Sequence, residues 1–519
     1  MTENFHKPSD ESGSSGVRIE GGIDAIVVGA TIDGMIAAAY LGKAGLNTVL
    51  LEAGALSPEL RPFTPGYFAD DGDFLLRDLD PKVIDTLKLY RHGLKFVQRR
   101  FDSVYYFSDK SGLKVNGDLF RSYESIAEMD VVDAKEFKKF TEQMLSAARE
   151  LRPMFRGEPL RKVSKQTRAL FAKYGTSSID AVLDDFFVSD RIKDMLSAEA
   201  SLRSSLKPSD PHSFLSLLRR WSGEAAGLQA ACSLPEGGYG GLYEALRRAV
   251  KKAGVEVRDG VGIKSILVEW DQAAGVELED GGQIRAPVVV NGLDGRQVFL
   301  EQLGPKLIDI EFHKAVDPVT PKFGAAKVHF ALHGTPRDEK TKKNLSRRLV
   351  YTPARSEMRQ AYRMAREGEV APELLMELVF PNVFEEGWAP PNGSLAAGWL
   401  HPIPYMDNPD EKLRRDVEEV AIAMMEKIAP GARERIEAVD VVLANDLSDR
   451  SGLSPESFAA SDAVATEARL ARVIKGASGI GGVFFCGPEA QVGHGVSGVA
   501  GRGAGLAAVE YSRRKGRAA

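Results

Sequence analysis

An α/β fold with more than one packed unit is the class this sequence predicts, and three observations predict it. A strand, a tight glycine turn, a helix and a second strand follow one another from Ile23 to Glu52. A glycine-rich counterpart, Gly482 to Gly505, closes the chain. Between them the hydrophobic period switches repeatedly between helical and strand spacing, over a chain of 519 residues with 43% hydrophobic and 27% charged content, enough for two domains.

The opening unit reads Ile23-Asp24-Ala25-Ile26-Val27-Val28-Gly29, then Ala30-Thr31-Ile32-Asp33-Gly34, an alanine-rich stretch to Gly45, and Thr48-Val49-Leu50-Leu51-Glu52. In a dinucleotide-binding unit a glycine ends the first strand, the helix N-terminus offers free N–H groups to a pyrophosphate, and an acid closing the second strand binds a ribose hydroxyl. Gly29, Ala30, Thr31 and Gly34 hold the turn positions and Glu52 the acid position. Thr31 stands where a middle glycine lets phosphate approach, so its Cβ crowds that approach. Asp33 adds a carboxylate that suits the helix dipole and repels an anion bound there.

A Pro- and Gly-rich loop (Pro58, Pro62, Pro65, Gly66) leads to a helix opened by Pro81 and running through Tyr90. Val104 to Phe107 and Leu113 to Val115 predict a hairpin across Asp109 to Gly112. Ser122 to about Ser222 is mostly helical, with Asp133 as a capping residue. Gly237-Gly238-Tyr239-Gly240-Gly241 leads into a helix from Leu242 to Ala253, stopped by Gly254. Strands follow at Val255 to Val257, Ile263 to Trp270 and Gly275 to Leu278. Ala286 to Asn291 reads as a strand buried on both faces. A second block from Phe312 to about Ala465 contains the strand Ala326 to Leu332, a charged stretch from Arg337 to Arg348 expected to be exposed, and a helix from about Asp410 to Ala429. Val483 to Phe485 is a buried strand, and a last helix runs from near Ser497 to about Arg514.

Composition narrows the function. A net charge of −5 gives no global reason to expect nucleic acid as a partner. Two cysteines, Cys232 and Cys486, without C-x-x-C spacing, indicate neither a disulfide framework nor a dithiol centre, and both read as buried structural thiols in a reducing compartment. Met1 to Gly22 is polar, lacks a signal-peptide core and is expected to be a disordered tail. No run reaches the roughly 20 apolar residues of a membrane span. The expected location is cytoplasmic, with peripheral membrane contact left open, since basic runs such as Arg513 to Arg517 read either as lipid contacts or as solvated charge.

Taken together, the segments Ile23 to Glu52, Leu94 to Phe107, Leu234 to Gly254, Val288 to Asp294, Leu443 to Leu453 and Gly487 to Gly505 resemble, in colinear order, the phytoene desaturase or carotenoid and retinoid oxidoreductase family. The branch is the phytoene-dehydrogenase-related, pyridine nucleotide-disulfide oxidoreductase domain-containing type. The resemblance implies an α/β protein with a Rossmann-type FAD-binding domain built from discontinuous segments and an inserted α+β substrate domain, as in amine-oxidase-like flavoproteins. By that resemblance residues 23–110, 230–310 and 470–519 form the FAD domain, and 111–229 and 311–469 the substrate domain. FAD is the implied cofactor, with Gly29 and Gly34 beside the pyrophosphate, Glu52 on the ribose and Ile263 holding adenine through its backbone. Gly487, Gly495, Val496 and Ser497 would lie along the flavin. The chain departs from the family at Thr31, at Pro58 and Glu59 where paired glycines are usual, and at Gln491 and His494 in the last turn.

The implied activity is hydride transfer from an apolar or amphipathic small molecule to flavin. The alternatives are a relative that has lost FAD and acts as a partner or regulatory subunit, or a flavin-dependent isomerase or reductase. No catalytic residue is assigned. His494, flanked by glycines, is either an acid or base beside the flavin or a space-filling loop residue. Lys327 and His329 share one strand face, which either binds a polar substrate group or is simply exposed. Tyr239 is expected to pack under the domain junction. His329 and His333 lack a third ligand, so no metal is expected. A protein partner or homo-oligomer stays open.

Overall fold

The computed structural model describes residues 22–54, 56–160, 162–307, 323–334, 344–458, 480–490 and 496–518. The tail to residue 21 and the turn residues 491–495, which include Gln491, His494 and Gly495, lie outside them.

The N-terminal unit forms as its sequence requires. Strand β1 (Ala25–Val28) is fully buried, helix α1 (Ile32–Lys43) follows, and β2 (Thr48–Glu52) pairs with β1 in parallel. Three more strands join from far along the chain, giving the spatial order Glu256–Asp259, β2, β1, Val289–Asn291, Val483–Phe485, all parallel. Four apolar residues in β1 and a buried Val288-Val289-Val290 fit a sheet covered on both faces. A three-stranded antiparallel layer, Ile263–Glu269, Gln272–Leu278 and Gln283–Arg285, leaves its edge. Its first hairpin turns at Trp270 and Asp271, both at positive φ (54° and 56°), the conformation that matches strand twist.

The closing helix, Val499–Ala518, lies against α1. Its glycines are set by that contact. A Cβ on Gly501 would come within 2.2 Å of the Asp33 carbonyl oxygen, and one on Gly505 within 3.2 Å of Ala37 Cα. The glycine-rich end of the sequence is therefore partly a close helix–helix seam.

The second sheet has seven strands in the order Ile436–Val442, Phe323–His333, Gly393–Pro404, Leu375–Val379, Arg348–Thr352, Ser103–Phe107, Gly112–Val115. Its outer face packs Ala326, Val328, Phe330, Leu349, Met376 and Leu400 against the helix Glu411–Ile428. Helices Val131–Phe155, Lys165–Tyr174, Ile179–Phe186, Asp190–Ser201 and Ser213–Ser222 form a separate lobe around Phe137, Phe140, Phe214 and Trp221.

Three readings of the sequence change here. The hairpin of Ser103–Phe107 and Gly112–Val115 forms, but Ser103–Phe107 also pairs in parallel with Arg348–Thr352, so residues 103–110 belong with the inserted sheet and not with the nucleotide unit. The helix over Asp133 is capped by Asp130, whose carboxylate accepts the Val132 and Asp133 N–H groups. Asp133 instead reaches across to the N–H groups of Val188 and Ser189. Arg348, at the end of the stretch expected to be exposed, is 3% exposed. Among the described residues no helix is long and apolar enough to cross a membrane.

Candidate functional site

Gly29 turns the chain out of β1 at φ 93°, where a Cβ would sit 2.8 Å from Leu293 Cδ2. Gly34 meets the same turn from the helix side, and a Cβ there would lie 2.1 Å from the Gly29 carbonyl oxygen. Space thus requires both glycines, and Gly29 is required by its positive φ as well. Thr31 is the N-cap of α1: its Oγ1 accepts the Gly34 N–H at 3.1 Å and donates to the Gly292 carbonyl at 3.2 Å. The hydroxyl therefore faces into the turn. The Ile32 and Asp33 N–H groups have no hydrogen-bond partner among the described residues, which leaves two first-turn donors for an anion. Ala30 is buried between them and β1.

Asp33 resolves differently from its sequence expectation. Its carboxylate accepts the Gly501 N–H at 2.7 Å, so it caps the closing helix instead of facing an anion. Burial pushes its pKa up to about 6, against the lowering effect of that hydrogen bond. Glu52 ends β2 and accepts the Tyr243 hydroxyl at 2.8 Å. Burial and the neighbouring Asp259 carboxyl raise its pKa.

The other nucleotide-side positions gather at the same carboxyl edge. Ile263 opens the strand that follows Glu256–Asp259 and packs its side chain into the shared core. Gly487 follows Val483–Phe485, where a Cβ would strike the Leu293 carbonyl oxygen at 1.9 Å. Val496 packs on the core, and the Ser497 carbonyl accepts the Asp80 N–H at 2.8 Å. Pro58 and Glu59, in place of paired glycines, leave the Pro58 carbonyl against Gly240, where a Cβ would come within 2.1 Å of it. Tyr239 is buried over Gly72, at the junction of the two units. Cys486 is buried, and burial holds its thiol well above its ordinary pKa.

The inner face of the seven-stranded sheet overturns the expectation of an exposed Lys327 and His329 face. Both are 0% exposed. Lys327 Nζ donates to the carbonyls of Asp70 and Gly72 and lies 5.0 Å from the centre of the Phe74 ring. Burial lowers its pKa, with Asp70 and Asp73 opposing. His329 Nδ1 is 2.9 Å from Asp440 Oδ2, and Asp440 also takes Arg61 Nη2 at 2.6 Å. Burial would raise the Asp440 pKa, but the hydrogen bond from His329, together with the hydrogen bond and charge of Arg61, holds it down to about 2. Burial favours neutral His329, whose Nε2 has no hydrogen-bond partner among the described residues. His333, by contrast, sits at the strand's exposed end, 3.3 Å from Glu437. No group of three metal-ligating side chains occurs among the described residues.

Further along this face Arg348 binds two carboxylates, Glu199 at 2.6 Å and Glu377. Its Nη1 also donates to Ser103 Oγ at 3.2 Å and Tyr105 OH at 3.3 Å. Arg77 donates to the same Glu377 oxygen. Burial opposes ionisation of Glu377, but Arg77 and Arg348 outweigh it and keep the carboxyl far below its usual range. Beside this cluster is a cavity of about 50 Å³, walled by Arg77, Arg220, Arg348, Glu199 and Cys232 and by the apolar Phe101 and Trp221. That space takes a few waters or one small group, not a whole drug-sized molecule.

None of these five charged residues was singled out from sequence. A signal was present for two of them: a lone carboxylate centred in Leu375-Met376-Glu377-Leu378-Val379, and a lone cation opening Arg348-Leu349-Val350-Tyr351. A charge inside a strand otherwise fit for burial announces a buried partner.

No protein-family model matches the chain. It is 25% identical to pyridine nucleotide-disulfide oxidoreductase domain-containing protein 2 of Mus musculus, an alignment covering 95% of this chain and 94% of that protein. It is 26% identical to a phytoene desaturase of Cercospora nicotianae over 52% of this chain and 45% of the desaturase. Among solved structures, an oxidoreductase from Methanosarcina mazei matches with a TM-score of 0.60 at 16% identity, covering 94% of this chain and 100% of that one. Putrescine oxidase bound to putrescine matches with a TM-score of 0.56 at 16% identity, over 96% and 98% of the two chains. These structural matches speak to the fold. The chain is a relative, over nearly its full length, of pyridine nucleotide-disulfide oxidoreductase domain-containing protein 2 and, over about half, of the phytoene desaturases, built on the fold shared with the amine-oxidising oxidoreductases.

Proposed function

We propose that this chain is an FAD-dependent oxidoreductase that takes a hydride from an apolar or amphipathic small molecule. The observation that carries the reading is the carboxyl edge of the parallel sheet, where two N–H groups at the start of α1, without a partner among the described residues, follow β1 and the Glu52 carboxylate ends the adjacent β2. The departures at this edge are compatible with a dinucleotide. Thr31 turns its hydroxyl inward onto Gly34 and Gly292, and Asp33 is committed to Gly501. The oxidoreductase names of the relatives support the same activity.

On this reading the backbone at Gly29, Ala30, Thr31 and Gly34 would hold the pyrophosphate, Glu52 the ribose and the Ile263 backbone the adenine. Gly487, Val496 and Ser497, with Gly495 beyond the described residues, would hold the flavin end. Bound FAD supplies a two-electron acceptor, so the protein's work is to bind, orient and exclude water. Tyr243 orients Glu52 by donating to its Oε1. Lys327 pins the Asp70–Gly72 loop to the inserted sheet by two main-chain carbonyls, which fixes the wall between the two units. Apolar groups on either side of that wall, Phe74 and Trp399 among them, keep water from it.

Purified protein should show flavin absorbance near stoichiometry, either as isolated or after incubation with FAD, with a matching rise in melting temperature. A colourless protein that neither binds nor is stabilised by saturating FAD would favour a non-catalytic relative instead.

A further inference from the structure

The cavity beside Arg348 has a charge imbalance. Three guanidinium groups, Arg77, Arg220 and Arg348, meet two carboxylates, Glu199 and Glu377. Arg348 is fully used: its Nε serves Glu377, its Nη2 serves Glu199, and its Nη1 serves Ser103 and Tyr105. Tyr105 in turn donates to Glu199 Oε1 at 2.7 Å, so the Glu199 oxygen is doubly held. Arg220 is only partly used. Its Nη2 donates to the Leu202 carbonyl at 2.9 Å, while Nη1 is 3.8 Å from Glu199 and is buried without a hydrogen-bond partner among the described residues. Arg77 gives one nitrogen to Glu377, and its side chain remains 25% exposed at the cavity wall.

Three cations against two anions leave one excess positive charge beside Phe101, Phe137, Leu196 and Trp221. An excess charge against such side chains favours the entry of an anion. The Arg348 pairs hold both carboxylates ionised, so proton uptake does not remove the imbalance; it increases it. A cavity of about 50 Å³ accepts a planar carboxylate with a water, and guanidinium groups match that geometry through paired N–H donors.

We propose that this cavity is an anion subsite that takes one carboxylate, held by Arg77 and Arg220. The carboxylate belongs either to the head of an amphipathic acid or to a free small acid. In the first case it names the substrate class of the proposed oxidoreductase. The subsite itself rests on the cavity and stands whether or not FAD binds.

The test uses the full chain without added FAD, so that its failure is separate from failure of the flavin reading. Acetate, octanoate, octanol and octylamine are titrated at constant ionic strength, with calorimetry and thermal melting as readouts. Octanoate should bind and raise the melting temperature, while octanol and octylamine should not. Acetate binding as tightly as octanoate supports the subsite and assigns it to a free small acid. Arg77→Gln should weaken carboxylate binding by about tenfold or more, the loss of one charge-assisted contact, and Arg77→Lys by less. If neither acetate nor octanoate binds more tightly than octanol in the unmodified protein, the proposal is overturned without any variant, as it is by unchanged binding of the tighter carboxylate in a folded Arg77→Gln protein.

Discussion

The parallel sheet is apolar through Ala25 to Val28 and Val288 to Val290 and places Glu52 and Asn291 at its carboxyl edge, whereas the seven-stranded sheet carries Lys327, His329, Arg348, Glu377 and His401 within one buried face. The first arrangement offers backbone N–H groups and close glycine contacts at strand ends, a site made by chain path. The second is made by side chains that must find partners, such as Arg348 with Glu199 across 149 residues of sequence. One unit should therefore be sensitive to added volume and the other to lost charge.

The largest effect is expected from charge. Arg348→Ala leaves Glu199 and Glu377 buried with fewer cations, and should cost about 3–5 kcal/mol in chemical denaturation. Arg348→Lys should recover only part, since an ammonium cannot serve four acceptors in one plane. A loss under about 1 kcal/mol would mean that water already compensates these carboxylates, and the contrast between the sheets would weaken.

Volume is the matching test on the other unit. Gly501→Ala drives a Cβ to 2.2 Å from the backbone oxygen of Asp33 and should destabilise by about 1–3 kcal/mol. Gly503→Ala, two residues on in the same helix and with nothing within 4 Å of its Cβ position, should instead gain about 0.5–1 kcal/mol from helix propensity. Melting curves giving the same sign for both would show that the α1 seam does not set the glycine pattern.

The same contrast explains what could be read in advance. Gly29, Gly34 and Glu52 were legible because a turn and a strand end impose residue types at fixed local spacing. The closing glycines were visible too, but their packing role was not, because Gly501 answers to Asp33, 468 residues away in sequence. Lys327 and His329 were placed on one strand face correctly by alternation, yet their burial depends on the Asp70–Gly72 loop and on Asp440, which periodicity cannot locate. The cavity arginines come from separate helices, strands and loops, and no local pattern joins them.

Asp33 gives a pH test of the closing seam. Burial raises its folded-state pKa to about 6, while the unfolded chain keeps about 3.9. The folded protein then binds more protons between those values, so this residue's contribution is present below about pH 4 and is lost as pH rises through about 6. Asp33→Asn keeps an oxygen for the Gly501 N–H and removes the titration. It should match the parent at pH 4 and exceed its stability at pH 7 by about 1–2 kcal/mol, less than the full shift because the side chain is only partly enclosed. Parallel stability–pH curves would place the Asp33 carboxylate in solvent.

A small expected change in stability carries the most information about the nucleotide edge. Thr31→Gly restores the glycine usual in a dinucleotide turn and removes two hydrogen bonds, to Gly34 N–H and to the Gly292 carbonyl. Glycine is itself a tolerated N-cap, so the cost should be about 0.5–1 kcal/mol. The freed Gly34 N–H would add a third donor to those of Ile32 and Asp33, and the missing Cβ would relieve the approach of a phosphate. FAD affinity should therefore rise by about threefold to tenfold while stability falls slightly, a divergence readable by fluorescence titration and melting on the same sample. If affinity and stability fall together, the Thr31 cap is what orients the remaining N–H groups, and the edge works through a hydroxyl-braced turn in place of the glycine-open one.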